Sequence, residues 1–560
     1  MIIRRHNRLF NAAFIMVRCV YHCKYVRHLS SRENCSAKTG SYFITTPIFY
    51  VNAQPHIGHL HSALLADASY RFQLLRGREF TLFSTGTDEH GLKVQQAATN
   101  NNISPFQYCD EVSDKFRCLF DAANIGYTDF VRTVESRHVE AVQKFITNLM
   151  AGGHIYQGSY SGWYCVSDEA YLTDVQVKEM TTSSGQKQMV SIESGHPVEW
   201  NKEENYMFKL SSFQNDLLHW LKDDGRVTPK RFLEELRMWV SEGLIDLSIS
   251  RPRDRVSWGI PVPGDYMHTV YVWVDALINY LTVAGYPELK LWPPDVQVIG
   301  KDILRFHGIY WPALLIASGL EPPRNILCHS HWTVEGQKMS KSLGNVVCPH
   351  DRIEKYTTDG LRYFLLREST THSDSNWSDT RLVRLLNAEL ADSLGNLLNR
   401  CTAPSLNPRL EFPKLSSSYL QTIPESGSKL MEQLTKLPDD VEGHYCNYNF
   451  YRAVDVIMNA VRSANVFVQE EKPWELKNLQ DRTKLDSVLR IALETVRIAG
   501  IALQPIVPTL AGKVLDCLGI LSYDRLWDKM KVGFSREKQG YFETSSSLGR
   551  RTKLFNKLKL

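Results

Sequence analysis

The chain has 560 residues, of which 43% are hydrophobic and 22% are charged, and its formal net charge is +4. This length is too great for one hydrophobic core and sufficient for two to four domains. The small net charge excludes a strongly basic nucleic-acid binder, so any polyanion would have to be bound by local patches.

The first thirty residues have the composition of a targeting leader. Six Arg or Lys residues lie among apolar ones, and the segment contains no Asp or Glu. This pattern is typical of a mitochondrial transit peptide, whereas a secretory signal would need one uninterrupted apolar stretch; a disordered basic tail is the alternative. Removal of residues 1–30 would leave a net charge of −2. We therefore predict that the mature protein is located in the mitochondrial matrix.

Two strand patterns open the chain after the leader. The run Tyr42–Thr46 is β-branched and aromatic and is followed by helical spacing from Gly58 to Leu75. The second run, Phe80–Ser84, leads into the polar segment Gly86–Gly91. Strand-turn-helix units of this kind predict an open parallel sheet, which binds ligands at the carboxyl ends of its strands.

Further strands of the same kind come much later in the sequence. Val296–Gly300 and Ile326–Ser330 have the strand pattern, and the helical run Ile303–Ala317 separates them. The nucleotide-binding sheet is therefore predicted to be split by an insertion at about residues 155–240. No apolar run reaches the roughly eighteen residues that a membrane span needs, so no membrane partner is expected.

The pattern becomes helical throughout from about residue 386 to 535. Apolar stripes run along Leu385–Leu398, Tyr451–Val468 and Leu485–Leu503. They predict a helix bundle after the α/β part. The chain ends in a basic tail that could contact nucleic-acid phosphates, although a solvated tail is favoured.

The segment Pro55-His56-Ile57-Gly58-His59 lies where the first strand gives way to the first helix. There Gly58 lets a nucleotide approach the backbone, and both imidazoles lie at a helix N-terminus, which suits a phosphate chain. Taken alone the signal is weak, because a single histidine is more often a structural hydrogen-bonding group.

The segment Lys338-Met339-Ser340-Lys341-Ser342 lies between Gly336 and Gly344. It places two ammonium groups on a loop that glycines allow to move, so that they can neutralise charge as pyrophosphate leaves. A solvated basic loop is the usual explanation of such a pair. The occurrence of both segments in this order makes chance a poor explanation.

Together, the two segments resemble the signature motifs of class I aminoacyl-tRNA synthetases, and five others resemble the methionine-specific family: Thr46–Asn52, Gly86–Gly91, Ser257–Pro263, Tyr271–Ala276 and Gly300–Ile303. The similarity extends from residue 41 to about 510. It implies a Rossmann-like parallel-sheet catalytic domain, split by an insertion and followed by an α-helical anticodon-binding bundle. It also implies that ATP with Mg²⁺ activates L-methionine, which is then esterified to the 2′-hydroxyl of the terminal adenosine of mitochondrial tRNA(Met).

The resemblance assigns the reaction to residues that stabilise charge, since adenylate formation needs no enzyme nucleophile. The implied catalytic residues are His56, His59, Lys338 and Lys341. Gly58, Gly300 and Asp302 join these four as ATP-binding residues. Asp88 would pair with the methionine ammonium. The rest of the methionine pocket would be Ile48, Tyr50, Trp273, Ala276, Leu277, Tyr280, Ile303 and His307, although ordinary core packing is the alternative for its aromatic members.

Three residues of the bundle resemble the anticodon-reading positions of the family. Asn396 and Arg400 can bond to base edges, and Trp474 offers a surface on which a base can stack; bundle packing is the alternative for Arg400 and Trp474. Many relatives have an Asn one helical turn before Asn396, but this chain has Asp392. An anion there is unexpected beside a phosphate backbone.

The cysteines do not supply a metal site. All eleven lack a repeated spacing; Cys19, Cys23 and Cys35 lie in or beside the leader, and the rest are expected to be reduced thiols. Zinc-binding relatives carry paired Cys-x-x-Cys knuckles, whereas Cys165 has no such partner. No structural zinc is therefore expected, and no metal ligand is assigned. A monomer is the expected state, because the appended domain that dimerises some bacterial relatives is missing.

Other class I synthetases would share both signature motifs but should show large editing domains or zinc-bound cysteines. A small-molecule adenylyltransferase would not need the bundle, and an inactive relative should have lost the signature lysines or Asp88.

The expected division of the chain is a transit peptide at 1–30, first catalytic half at 41–154, insertion at 155–240, second catalytic half at 241–330, stem-contact region at 331–385, anticodon-binding bundle at 386–535 and tail at 536–560.

Overall fold

The computed structural model describes residues 40–52, 54–165, 170–172, 174–181, 187–192, 195–339, 344–478, 481–532 and 546–559. The predicted transit peptide lies outside the described residues, and so does Lys341.

The strands are β1 (Tyr42–Tyr50), β2 (Thr81–Asp88), β3 (Asp129–Arg132), β4 (Ile155–Cys165), β5 (Ala170–Leu172), β6 (Val177–Thr181), β7 (Lys187–Ser191), β8 (Glu199–Phe208), β9 (Val227–Thr228), β10 (Leu247–Ser248), β11 (Ser250–Pro252), β12 (Pro261–Val262), β13 (Asp265–Val270), β14 (Val296–Gly300), β15 (Ile326–His329), β16 (Trp332–Val334), β17 (Gln337–Lys338), β18 (Ser375–Trp377), β19 (Glu411–Phe412) and β20 (Ser546–Ser547).

The α-helices are α1 (Ile57–Leu75), α2 (Leu92–Asn100), α3 (Pro105–Ala122), α4 (Ser136–Ala151), α5 (Gln214–Trp220), α6 (Lys230–Ser241), α7 (Val272–Ala284), α8 (Trp311–Ala317), α9 (Pro349–Tyr356), α10 (Thr358–Glu368), α11 (Asp379–Leu386), α12 (Asn396–Cys401), α13 (Ser417–Leu420), α14 (Glu425–Cys446), α15 (Phe450–Glu471), α16 (Pro473–Leu476), α17 (Thr483–Ala502) and α18 (Pro508–Cys517). Two π-helical segments, Phe306–Tyr310 and Asn387–Gly395, lead into α8 and α12.

The central sheet is parallel and has the order β3-β2-β1-β14-β15-β9. Its middle strands are rich in Phe, Ile and Val and are buried, as expected for a parallel sheet that helices cover on both faces. Strands β1 and β14 are neighbours although the insertion separates them in the sequence. The predicted split parallel sheet is confirmed, and it brings the carboxyl ends of β1, β2 and β14 to one edge.

Strand β1 continues four residues beyond the predicted end at Thr46. The register to β2 shifts between Thr45 and Ile48, around Pro47. Proline has no amide hydrogen to donate, so a bulge lets the strand pass it and resume pairing. The consequence is that Ile48 pairs with Gly86 and Tyr50 with Asp88, at the carboxyl ends of the two strands.

Much of the insertion folds as an antiparallel sheet of its own. Strands β4 and β8 pair along almost their whole length, with β5 and β10 at the edges, and β6 and β7 form a separate hairpin. Residues 227–228, within the range predicted for the insertion, form the edge strand β9 of the central sheet instead.

The helical part packs directly on the α/β part through α1. The ring of Phe72 lies 5.0 Å from that of Tyr445 on α14 and 5.0 Å from that of Trp527, measured between centroids. Residues of α1 and of helices α14 to α18 share one hydrophobic core. Within the described residues, no helix is both long and apolar enough to cross a bilayer.

A buried arginine adds a polar connection between the two parts. The Arg362 guanidinium on α10 donates to Asp67 Oδ2 on α1 at 2.6 Å and to the carbonyl oxygens of Pro505 and Ile506, at 3.0 and 2.9 Å. The side chain is 1% exposed. Arg362 thereby joins the middle of α1 to the turn between α17 and α18.

The prediction of a solvated C-terminal tail was wrong for residues 546–559. Strand β20 pairs with β19, and Leu554 is buried. The Asn387 side chain bonds to both the amide and the carbonyl of Leu558, at 2.8 and 2.9 Å. The alternation of cations with Leu and Phe in this segment supplies apolar side chains that can be buried on the bundle.

Candidate active site and anticodon surface

The first site element is the N-terminus of α1. His56 occupies the cap position, where its Nδ1 accepts a hydrogen bond from the Gly58 amide at 3.0 Å. Reciprocally, His59 Nδ1 accepts from the His56 amide at 3.2 Å. The two rings stack with centroids 3.8 Å apart. The cap therefore fixes both imidazoles at a helix end that attracts anions.

Glycine is required at position 58 for a steric reason. A Cβ atom there would lie 2.8 Å from His56 Cε1 and 3.0 Å from His56 Nδ1. Any larger residue would push the His56 ring out of the cap. Gly58 was predicted to let a nucleotide approach the backbone, and in the structure it also makes room for the His56 imidazole.

Both histidines are neutral at pH 7. Burial, supported by the charges of His331 and Lys338, lowers the pKa of His56 to about 4. Burial and then the charge of His56 lower the pKa of His59 well below its ordinary value. In a neutral ring whose Nδ1 accepts a hydrogen bond, the proton is on Nε2. Each imidazole can therefore offer an Nε2–H donor to a phosphate oxygen.

The second element lies at the end of β14. Lys338 Nζ donates to Asp302 Oδ2 at 2.7 Å, and His331 Nε2 lies 3.3 Å from the same oxygen. Burial acts to raise the pKa of Asp302, but the hydrogen bonds and charges of His331 and Lys338 outweigh it and hold that pKa well below its ordinary value. Strand β17 thus brings Lys338 to the edge of the sheet where Gly300 ends β14.

The predicted methionine residues begin at the ends of β1 and β2. Tyr50 and Asp88 are paired in register, and Asp88 is buried. Ile48 is half-buried two residues earlier. Gly86 allows this arrangement because a Cβ there would lie 1.9 Å from the Val131 carbonyl oxygen.

The aromatic part of the predicted pocket lies on α7 and the following π-helical segment. The Trp273 ring stacks on that of Phe306, with centroids 3.9 Å apart and planes 19° apart. Ala276 and Leu277 are buried on the next turn of α7. Sequence reasoning missed Phe306, although it immediately precedes the predicted His307.

Tyr280 and His307 form a buried hydrogen-bonded pair. His307 Nδ1 lies 3.0 Å from the Ile303 carbonyl oxygen, to which it donates, and the Tyr280 hydroxyl lies 2.8 Å from His307 Nε2. Burial lowers the pKa of His307 to about 4, so the ring is neutral. Its Nε2 then accepts from Tyr280. Hydrogen bonds therefore connect the Tyr280 hydroxyl, the His307 ring and the Ile303 carbonyl, all three of which belong to predicted pocket residues.

A second histidine network was not predicted from the sequence. Asp275 on α7 accepts from His90 Nδ1 at 2.6 Å and from His138 Nε2 at 2.7 Å, and it is 1% exposed. Burial acts to raise the pKa of Asp275, but the charge of His90 and hydrogen bonds from both rings lower it to about 2. This carboxylate fixes the loop after Asp88 against the helix that carries Trp273.

The predicted anticodon residues also come together. Asn396 begins α12 and is exposed, and Arg400 lies one turn later with its Cζ 5.4 Å from the Trp474 ring centroid. Asp392, in the preceding π-helical segment, accepts from Asn396 Nδ2 at 3.5 Å and pairs with Lys557 Nζ at 2.7 Å. The unexpected anion therefore has a cationic partner from the C-terminal segment.

Across the described residues, no group of three or more His, Cys, Asp or Glu side chains is arranged to hold a metal ion. The Cys165 side chain is buried and packs with Val177 and Val198.

Comparison with known proteins places this geometry in a family. Residues 42–402 match the profile of tRNA synthetases class I (M). The chain belongs to the methionyl-tRNA synthetases. A second profile, the anticodon binding domain of methionyl tRNA ligase, matches residues 421–547 of this synthetase. The family predicted from the signature motifs is confirmed, and the chain is an aminoacyl-tRNA ligase that joins methionine to tRNA.

Several curated relatives of this methionyl-tRNA synthetase are mitochondrial. The methionine–tRNA ligase, mitochondrial, of Homo sapiens is 49% identical over 501 residues, which cover 86% of this chain and 84% of the relative. That of Xenopus laevis is 51% identical over 504 residues, covering 88% and 89%. The structure of Mycobacterium tuberculosis methionyl-tRNA synthetase in complex with methionyl-adenylate is similar with a TM-score of 0.85 at 35% identity, covering 92% of this chain and 100% of that one.

Proposed function

We propose that this synthetase converts L-methionine and Mg·ATP into methionyl-adenylate and pyrophosphate. It then transfers the methionyl group to the 2′-hydroxyl of the terminal adenosine of mitochondrial tRNA(Met), with AMP as the leaving group. The supporting observation is the neutral histidine cap of α1 beside the Lys338–Asp302 pair, at the carboxyl ends of the adjacent strands β1 and β14.

In the activation step, a methionine carboxylate oxygen attacks the α-phosphorus of ATP while the bond to the β-phosphate oxygen breaks. His56 and His59 offer Nε2–H donors to the phosphate oxygens, at a helix end whose partial charge is positive. Lys338 is 68% exposed, so it can exchange Asp302 for a phosphate, and Lys341 acts with it. Gly300 and Asp302 contact the ribose. These groups position the reactants and stabilise charge.

Methionine binds between the ends of β1 and β2 and the aromatic residues of α7. The Asp88 carboxylate pairs with the substrate ammonium, while Tyr50 and Trp273 pack against the thioether. Ile48, Ala276 and Leu277 provide apolar surface, and the Tyr280–His307–Ile303 unit closes the pocket. Because His307 is neutral and already hydrogen-bonded at both nitrogens, it presents no charge to an apolar substrate.

The anticodon CAU is read by Asn396, Arg400 and Trp474, with Trp474 as the stacking surface. The division at residues 154, 240, 330, 385 and 535 stays a prediction. The relatives named mitochondrial support action in the mitochondrion, and we assign the matrix as the compartment and a monomer as the working state. We propose that no structural zinc is needed.

The decisive experiment is ATP–pyrophosphate exchange with each of the twenty amino acids offered separately and no tRNA. Exchange with methionine alone is expected. In the same assay, Asp88→Asn should raise the KM for methionine with little change in the KM for ATP. Exchange with another amino acid would overturn the pocket assignment, and unchanged methionine kinetics in the variant would remove Asp88 from it.

A further inference from the structure

The C-terminal segment, residues 546–559, is held along the bundle by contacts distributed over its length. Strand β20 pairs with β19 at one end, Gly549 donates to the Cys517 carbonyl at 3.0 Å, and Leu554 is buried. Near the other end the Asn387 side chain bonds to both backbone groups of Leu558. The segment therefore has a defined course on the surface of the protein.

This course passes beside the anticodon-reading helix. Arg551 donates to the Asn399 carbonyl on α12 at 3.1 Å. Six residues later, Lys557 pairs with Asp392, which lies one turn before Asn396. The C-terminal segment thus contacts the anticodon helix near its end and the π-helical segment that precedes it.

The segment has charge of one sign only. Residues 549–560 include five cations and no Asp or Glu. The five, all exposed, are Arg550, Arg551, Lys553, Lys557 and Lys559. Within the described part of the chain, Arg550, Lys553 and Lys559 take part in none of the ion pairs. Packing against the bundle uses Leu554 and Leu558, which leaves the cations facing water.

A row of exposed cations of this kind is suited to binding a phosphodiester backbone. Cations at fixed positions beside base-reading groups can neutralise phosphates and release condensed counterions, which gives affinity without sequence preference. The Lys557–Asp392 pair suits the same use, because an unpaired carboxylate beside Asn396 would repel the phosphates.

We propose that the C-terminal segment binds the phosphate backbone of the tRNA anticodon arm through Arg550, Lys553 and Lys559. In this arrangement Lys557 neutralises Asp392. The proposal rests on the proposed function, in that tRNA must lie against Asn396, Arg400 and Trp474. It extends the tRNA-binding surface beyond those residues to a segment outside the helices of the bundle.

The test is a triple variant of the full chain, Arg550→Gln, Lys553→Gln and Lys559→Gln. Binding of a tRNA transcript with a CAU anticodon is measured as a function of salt. Loss of three phosphate contacts should reduce the magnitude of the slope of log K against log salt by about 2 to 3. At about 0.1 M salt the Kd should rise by roughly tenfold to a hundredfold.

A matched variant removes the same charge from exposed lysines outside the helical bundle, through Lys178→Gln, Lys222→Gln and Lys290→Gln. It should keep the parental slope. Equal loss of slope in the two triple variants would overturn the proposal in favour of a bulk-charge effect, and an unchanged slope in the C-terminal variant would overturn it directly. Methionine-dependent exchange without tRNA should be normal in both variants; its absence from the parent would reject the proposed function instead.

The role of Lys557 is tested separately by Lys557→Gln and by the pair Lys557→Gln with Asp392→Asn. The single variant leaves the Asp392 carboxylate uncompensated and should weaken tRNA binding. The double variant removes the repulsion and should recover most of the lost affinity. No recovery, with exchange intact, would contradict charge neutralisation as the function of this pair.

Discussion

Replacement of Gly58 by alanine tests the proposal that the cap of α1 positions the His56 imidazole for catalysis. The new methyl group would lie 2.8 Å from His56 Cε1, well inside contact distance. The ring can avoid it by rotating, but it then loses the hydrogen bond from the Gly58 amide and its stack on His59. The substitution should therefore displace one reactive group without disturbing the core.

The two expected effects differ in size. Loss of a helix cap costs about 1 kcal/mol, while alanine gains about 1 kcal/mol over glycine within a helix, so the free energy of unfolding should change little. A displacement of the imidazole by about 1 Å should reduce the rate of adenylate formation about a hundredfold. The variant is thus expected to be folded and nearly inactive.

The assay is ATP–pyrophosphate exchange with saturating methionine, accompanied by thermal unfolding. Gly443→Ala is the control, because a Cβ at this exposed position of α14 meets no atom within 4 Å and should leave exchange unchanged. If Gly58→Ala exchanges at the parental rate, the cap does not position His56 for catalysis. A large loss of stability in that variant would show that the ring cannot rotate away as inferred.

Arg362→Met should lower the free energy of unfolding by about 1 to 3 kcal/mol, because the carbonyl oxygens of Pro505 and Ile506 lose a buried donor while Asp67 keeps Arg71 and the Gly126 amide; thermal unfolding measures this, and no measurable change would contradict it. Burial lowers the pKa of His307 and of His329 to about 4. Their contribution to stability is therefore complete above pH 6.5, the ordinary pKa, and is lost as the pH falls through 4, by up to about 3 kcal/mol each. Urea unfolding at pH 7 and 4.5 should show a smaller loss in His307→Gln than in the parent. Trp474→Ala should reduce kcat/KM for tRNA roughly 5- to 150-fold with normal exchange; equal loss in both assays would indicate misfolding.

The sequence predicted the helices and strands whose pattern of apolar residues matches the burial of their faces in the structure. The mostly apolar runs at Val296–Gly300 and Ile326–His329 are strands in the structure because both faces of the sheet are covered. The positions of His56, His59 and Lys338 followed from motifs in which a few adjacent residues perform one task. Their proximity across the sheet edge follows from parallel pairing of β1 with β14.

Other features depend on contacts between distant residues and could not be predicted. Helix α14 contains Pro438, and proline ordinarily ends a helix. The helix continues through this residue because its other apolar side chains are buried against α15. The Asp275–His138 bond joins residues 137 positions apart, and neither flanking sequence indicates it. The docking of the C-terminal segment likewise depends on the Asn387 side chain, and nothing in the sequence around Asn387 indicates that it binds Leu558.

The pairing of β1 with β14 also constrains the order in which the parts of the protein can fold. Phe43 donates from its amide to Asp295, 252 positions later, so the edge of β1 that faces β14 has no partner until more than half of the chain has emerged. An unpaired apolar strand edge is a template for wrong pairing and aggregation. Until β14 is available, the unpaired edge of Tyr42–Tyr50 is therefore open to wrong pairing. Substitutions that slow the folding of the intervening residues should consequently lower the yield of soluble enzyme even where its final structure is unchanged.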